Sequence, residues 1–198
     1  MKREIKVVGI NGSPRKGGNT EHLLKEVLRQ IEENGITTEL FQLGGKQVKQ
    51  CIACMKCREI KDGYCHNDND FANSCIDLMR GADGIIIGSP VYFADITPEV
   101  KALIDVSGFA SRGAATNHFR RKAGAAVVAV RRGGAIHSFD SINHFFLINE
   151  MMVAGSNYWN IGVGSKRGDV LNDSEGMQTM KVLGDNMAWL LRNTAAER

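Results

Sequence analysis

Apolar positions along the chain fall into short runs separated by helical patterns. Ile5 to Ile10 is an apolar run, short enough for a buried strand. A polar turn follows over residues 11–20. Leu23, Leu24, Val27, Leu28 and Ile31 then recur on one helical face, and Asn34-Gly35 marks the end of that helix. Thr37 to Leu43 alternates and is rich in strand formers, which predicts a second strand. Residues 46–69 are polar, cysteine-rich and aperiodic, and predict a long surface loop of the kind that is functional or disordered. Phe71 to Arg80 predicts a helix. Ile85-Ile86-Ile87 predicts a strand buried on both faces. Thr97 is a good N-cap and Pro98 a good first residue for a helix reaching about Ala110. Residues 111–122 are basic and loop-like. Ala123 to Val130 predicts a fourth strand, Ser138 to Met152 a helix, and Asn157 to Val163 a fifth strand. Asp173-Ser174 opens a last amphipathic helix carrying Met177, Met180, Leu183, Met187 and Leu190.

Five alternations of strand and helix, with apolar central strands, predict an α/β fold. The architecture expected is a doubly wound, five-stranded parallel sheet with helices on both faces. One domain is expected over residues 1–198, with the cysteine-rich loop at about 46–69 and no internal repeat or linker. Ligands in such folds sit beyond the carboxyl ends of the strands, near the point where strand order reverses. Three polar, glycine-containing turns fall at that edge here: Asn11 to Thr20, Ser89 to Phe93, and Arg131 to Ala135.

Composition narrows the function classes. A hydrophobic fraction of 43% with 24% charged residues is ordinary for a soluble globular protein. A net charge of +3 argues against a dedicated nucleic-acid binder. No apolar run approaches the ~18 residues of a membrane helix. Lys2-Arg3 is basic, but the apolar stretch after it is too short for a signal-peptide core, so a cytoplasmic location is expected. The five cysteines then read as metal ligands or thiols before disulfides.

The first turn, Gly12-Ser13-Pro14-Arg15-Lys16-Gly17-Gly18-Asn19-Thr20, joins a strand to a helix. Free N–H groups and the positive helix end favour an anion there. Ser13, Asn19 and Thr20 add donors, Arg15 adds a cation, and glycines such as Gly18 let the backbone approach closely. Gly18 and Asn19 stand where a Walker loop needs Lys and Ser/Thr, and the glycine spacing is not that of a dinucleotide fingerprint. The chemistry suits a terminal monophosphate. The plainer reading is a glycine turn into a helix capped by Asn19 or Thr20. In the second turn, Pro90, Val91, Tyr92 and Phe93 offer rigid apolar and aromatic surface on which a flat ring would stack, or which simply covers the sheet edge. In the third, Arg131, Arg132, Gly133 and Gly134 could stabilise a reduced, anionic flavin, or form a solvated strand end.

The first two motifs together, Gly12 to Thr20 and Gly88-Ser89-Pro90-Val91-Tyr92-Phe93, resemble the flavodoxin-like NAD(P)H-dependent FMN reductases over Lys6 to about Val163. That resemblance implies a flavodoxin-like fold and non-covalent FMN. The phosphate would lie on Ser13, Arg15, Asn19 and Thr20, and the ring near Pro90 to Phe93 and the Arg131 to Ala135 turn. It also implies homodimers or homotetramers. No side chain need act as a nucleophile, since the flavin carries the chemistry.

Cys51, Cys54, Cys57 and Cys65 follow the pattern C-x2-C-x2-C-x7-C, which resembles the compact cluster motif of the iron–sulfur flavoproteins, a branch of the same family. A tight loop can wrap one face of a [4Fe–4S] cluster while a fourth ligand closes it. Zinc on Cys51, Cys54, Cys57 and Cys65 or His66 is an alternative, and so are free thiols. Cys75 lies in the predicted helix and reads as a small apolar residue. The function expected is a redox flavoprotein passing electrons between a carrier such as ferredoxin and a small-molecule acceptor. The alternatives are an NAD(P)H-dependent quinone- or azo-type reductase without a cluster, and a non-catalytic carrier. His22, His118, His137 and His144 read as surface residues, with proton transfer as the alternative.

Overall fold

The computed structural model describes residues 4–194; Lys2 and Arg3 lie outside the described residues. The elements in chain order are β1 (Lys6–Asn11), α1 (Asn19–Glu33), β2 (Thr37–Gln42), α2 (Lys56–Ile60), α3 (Asp70–Gly81), β3 (Gly84–Pro90), α4 (Pro98–Gly113), β4 (Ala123–Val130), α5 (Ala135–Ile148), β5 (Met152–Val153), β6 (Ile161–Val163) and α6 (Ser174–Thr194). All strand pairs are parallel, in the order β2-β1-β3-β4-β5, with β6 also on β4. Strand order reverses at β1, between β2 and β3, so the crevice beyond β1 and β3 is the ligand position for this topology.

The continuous apolar strands alternate between two cores. Val8, Ile10, Ile85, Ile87 and Ala126 face α3, α4 and α5, whereas Val7, Ile86, Ala125 and Val127 face α1 and α6. β4 is built from small residues because α5 lies close on it. A Cβ on Gly124 would stand 2.8 Å from the Phe146 ring. No helix among the described residues is long and apolar enough to cross a membrane.

Four expectations are corrected. The fifth strand is not one segment from Asn157 to Val163 but two short ones. Met152 pairs with Ala123, Ile161 pairs with Val128, and residues 155–159 loop out between them, while Ala154 and Asn160 still bond to β4. The helix expected from Ser138 to Met152 begins earlier, at Ala135, and ends at Ile148. Asn149 caps it through a bond from its Nδ2 to the Phe145 carbonyl, and Glu150 turns the chain at φ +59°. The loop over 46–69 contains the helical turn α2. The N-cap of α1 is Gly18, not Asn19 or Thr20. Thr97 does sit at the N-cap of α4, but its hydroxyl donates to the Gly12 carbonyl at 3.1 Å instead of accepting from its own helix.

Candidate functional site

The first turn is held before any ligand arrives. Asn11 and Gln42 are register partners at the ends of β1 and β2, and their side chains bond to each other at 2.8 Å. Asn11 Oδ1 accepts from the Ser13 N–H at 3.1 Å, and Gln42 Nε2 donates to the Ser13 and Gly44 carbonyls at 2.7 and 2.8 Å. The Gly12 N–H donates to the Gly88 carbonyl at 2.8 Å, which ties the turn to the end of β3. A Cβ on Gly12 would stand 2.2 Å from Val100 Cγ2, and one on Gly18 would stand 2.8 Å from the Arg15 carbonyl oxygen. Both glycines are required by close approach. Ser13 and Thr20 are buried, at 3% and 1% exposure, while Arg15 is exposed. The Thr20 hydroxyl has no hydrogen-bond partner. A buried hydroxyl without a partner costs roughly 1–3 kcal/mol, so this turn awaits an acceptor. The Asn19 side chain is engaged elsewhere: its Nδ2 donates to the Lys166 carbonyl at 2.9 Å and its Oδ1 accepts from the Val170 N–H at 3.4 Å.

The second turn is a two-residue hairpin. Tyr92 and Asp95 exchange backbone bonds at 2.7 and 3.0 Å around Phe93 and Ala94, both at positive φ. Pro90 and Val91 lie half-buried at its base, Tyr92 is 39% exposed, and Phe93 projects fully into solvent at the tip. The third turn meets it. A Cβ on Gly134 (φ +89°) would stand 2.8 Å from Ala94 Cα and 3.0 Å from Val91 Cγ1. Arg131, Arg132 and Gly133 are exposed beside this contact. Asp95 joins the two turns further: its carboxylate accepts from Ser141 Oγ at 2.8 Å and from the Ile96 N–H at 2.7 Å, with His137 3.5 Å away. Burial alone would raise its pKa; the Ile96 N–H, Ser141 and His137 outweigh that and hold it below the usual carboxylate value. Thus the first turn is tied to the end of β3, and the second and third turns pack on each other, beside the crevice beyond β1 and β3. Gln42, which helps fix the first turn, carries no mark of that role in the sequence, and Asn11 and Thr97 stand out there only as the start of the turn and as a helix N-cap. Their signal was polar side chains closing apolar strands or opening a helix.

The four cysteines of the loop line a second pocket, with Val106, Phe109 and Ala110 of α4 as its floor. Cys57 is buried in the first turn of α2, Cys65 is half-buried, and Cys51 and Cys54 are exposed. Burial pushes the Cys57 thiol up, Arg58 opposes this, and the neighbouring Cys51, Cys65 and Cys54 push it further. Asn73 of α3 fixes the Cys65 backbone from both sides, accepting from its N–H and donating to its carbonyl at 2.9 Å each. Arg58 anchors α2 by stacking 4.3 Å over Phe109 and donating to the Arg112 carbonyl at 2.9 Å. Ala53 and Met55 alternate with the first three cysteines in left-handed conformations, at φ +53° and +66°. Left-handed residues alternating with right-handed ones turn successive N–H groups into one concavity that binds anions, including iron–sulfur clusters. Among the described residues, no N–H of residues 51–57 donates a protein hydrogen bond. Also among the described residues, no three His, Cys, Asp or Glu side chains close on a single ion. Cys75 is separate, buried in α3 among core residues.

A doubly wound sheet of this order, with a glycine turn and an aromatic turn at its switch point, defines the flavodoxin-like flavoproteins. The chain belongs to the family of NADPH-dependent FMN reductases, whose sequence model matches residues 5–166. It is therefore an FMN-binding redox flavoprotein of the branch that includes the iron–sulfur flavoproteins. An iron–sulfur flavoprotein of Methanocaldococcus jannaschii is 40% identical over 195 residues, covering 95% of this chain and 98% of that one. The iron–sulfur flavoprotein of Methanosarcina thermophila is 34% identical, covering 89% and 90%. Among solved structures, a WrbA-like flavodoxin from Agrobacterium tumefaciens superposes with a TM-score of 0.64 at 14% identity, covering 96% of this chain and 99% of that one. An NADH:FMN oxidoreductase superposes with a TM-score of 0.65 at 18% identity, covering 93% and 89%. These structures share the fold.

Proposed function

We propose that this protein binds FMN at the three-turn crevice, holds a [4Fe–4S] cluster on Cys51, Cys54, Cys57 and Cys65, and passes electrons between a carrier and a small-molecule acceptor. One observation carries the cluster: four cysteines surround one pocket whose backbone offers free N–H groups between them. A single zinc ion needs its four donors gathered around one point at about 2.3 Å, whereas a cubane takes each thiolate on its own iron, farther apart. The free N–H groups of the loop, which a cluster's sulfides can accept, suit the second.

The flavin supplies two-electron chemistry that can also run in single steps, and so joins one- and two-electron partners. The chain's own residues do the rest. Ser13, Arg15, Thr20 and the free N–H groups at the start of α1 hold the phosphate. Pro90, Val91, Tyr92 and the Arg131 to Gly134 turn frame the ring. Lys56, Arg58 and Lys61 offset the negative charge that four thiolates bring. The α4–α5 groove runs from Cys51 to Ser141, which bonds to Asp95 of the aromatic hairpin, so the two sites share one face. We take reduced ferredoxin as the donor, with NAD(P)H as the alternative. Homodimers or homotetramers in the cytoplasm complete the reading.

Protein purified or reconstituted without oxygen is expected to hold about four irons and four sulfides per chain. Alanine at any of the four cysteines lowers that content. Stoichiometric zinc, or no metal after reconstitution, refutes the cluster. Stopped-flow mixing assigns the donor: fast bleaching by NADPH or NADH and not by reduced ferredoxin would replace the carrier reading by the reductase one.

A further inference from the structure

Residues 164–170, between β6 and α6, close the far side of the phosphate turn. Lys166 and Val170 take both ends of the Asn19 amide, at 2.9 and 3.4 Å. The approach is tight, since a Cβ on Gly164 would stand 2.7 Å from Asn19 Nδ2. This second turn is itself fixed. The Asp169 carboxylate accepts from the Ser165 and Lys166 N–H groups at 3.2 and 2.6 Å, and Gly168 reverses the chain at φ +82°. Its Arg167 reaches over the phosphate turn: Arg167 Cδ lies 4.0 Å from the point a Cβ on Gly17 would occupy.

Charge gives this arrangement its meaning. Glu21 lies in the first turn of α1, and its carboxylate accepts from the Gly17 N–H at 2.7 Å. A carboxylate there competes with a phosphate for the same positive helix end. Lys25 pairs with Glu21 at 2.7 Å from the far side and offsets it only in part. Arg15 supplies a cation from the turn itself, and Arg167 is a second cation, brought against Gly17 by the 164–170 segment.

We propose that Arg167 is a second cationic clamp on the flavin phosphate, and that Asn19 is a positioning residue that holds the 164–170 turn in place for it. Asn19 thereby acts through this turn and not on the phosphate. The inference rests on the phosphate placement proposed above and extends the site to a segment outside the three turns.

Fluorescence titration of the full-length apoprotein with FMN and with riboflavin, which lacks the phosphate, tests it. Arg167→Ala should weaken FMN about tenfold and leave riboflavin unchanged, with Arg167→Lys recovering most of the loss. Asn19→Ala should also weaken FMN, and adding it to Arg167→Ala should cost little more, since both remove one contact. In the flavin-free protein, Asn19→Ala should speed amide exchange over residues 165–169, while Arg167→Ala should not. Arg15→Ala separates the two levels of failure. If Arg15→Ala weakens FMN and Arg167→Ala does not, the clamp is overturned and the phosphate site stands. If Arg15→Ala has no effect, the phosphate placement falls and takes the clamp with it. Equal losses for FMN and riboflavin in Arg167→Ala would make Arg167 a support of the fold and also overturn the clamp.

Discussion

Cys75 and the loop cysteines show how one residue type takes two chemistries. Cys75 is fully buried in α3, and burial pushes its thiol up to about 12. Its ordinary value is 9.0, so above that pH the unfolded chain ionises first. The Cys75 contribution to stability is therefore whole below pH 9.0 and is lost as pH rises toward about 12. At pH 8, mass spectrometry of the folded, cluster-free protein after alkylation should find Cys51 and Cys54 modified and Cys75 intact. Cys75→Ala should leave iron content unchanged. At the phosphate turn, Arg15→Ala should weaken FMN roughly tenfold to hundredfold, the worth of a charge-assisted bond of about 1.5–3 kcal/mol. Gly12→Ala would drive a methyl into Val100 and the Gly88 carbonyl. Its expected cost is about 1–3 kcal/mol, read as a lower denaturant midpoint at unchanged slope. The turn carrying Ser13, Arg15 and Thr20 is legible in sequence because a strand, a glycine turn and a helix start have a local signature. The bonds of Asn11, Gln42 and Thr97 are not, because they span β1 to β2 and β1 to α4.

At the scale of elements, local signals fared best where burial is continuous. β1, β3 and β4 were readable as apolar runs, and α1 and α6 as amphipathic stripes. The last strand carries no readable signal because its two pieces hold only two and three residues, too few for any period. The bounds of helix α5 are obscured in sequence because polar Asn143 and His144 blur its pattern and because Gly134 starts it in a left-handed conformation. The aromatic hairpin offers a test. Ala94 sits at φ +67°, where a side chain costs about 1–2 kcal/mol that glycine avoids, at some entropic loss. Ala94→Gly should therefore stabilise the protein by about 0.5–1 kcal/mol, visible as a raised melting temperature. Replacing Tyr92 and Phe93 with Ala should change the flavin spectrum and reduction rate and leave the circular dichroism of the fold unchanged. Reduction kinetics identical to the parent would move the ring away from this hairpin.

For the whole molecule, the sheet separates two cores, and the cysteine pocket takes its floor, Val106 and Ala110, from the edge of one of them. The three-turn crevice rides on the strand ends, and the cysteine pocket rides on α4. Cofactor loss should thus leave a folded protein with a lower melting point. FMN at a hundred times its dissociation constant adds about 2.7 kcal/mol. For a chain of 198 residues that corresponds to a rise of about 5–10 °C in melting temperature over the flavin-free protein. The cysteine spacing was legible in sequence. The left-handed residues that open the loop were not, since Ala53 and Met55 carry no mark of that conformation.

The broken last strand has a consequence for how the molecules behave in a crowded solution. An uninterrupted edge strand offers a row of unpaired backbone groups onto which a foreign strand can add, the first step toward aggregation. On the β4 side of the sheet that edge is two fragments, Met152–Val153 and Ile161–Val163, divided by the outward excursion over residues 155–159. Neither fragment is long enough to template another chain. The excursion is also where the fold would accept foreign sequence: a short insertion beside Asn157 leaves both fragments on β4, and the protein should still fold, whereas the same insertion at Gly124 should not.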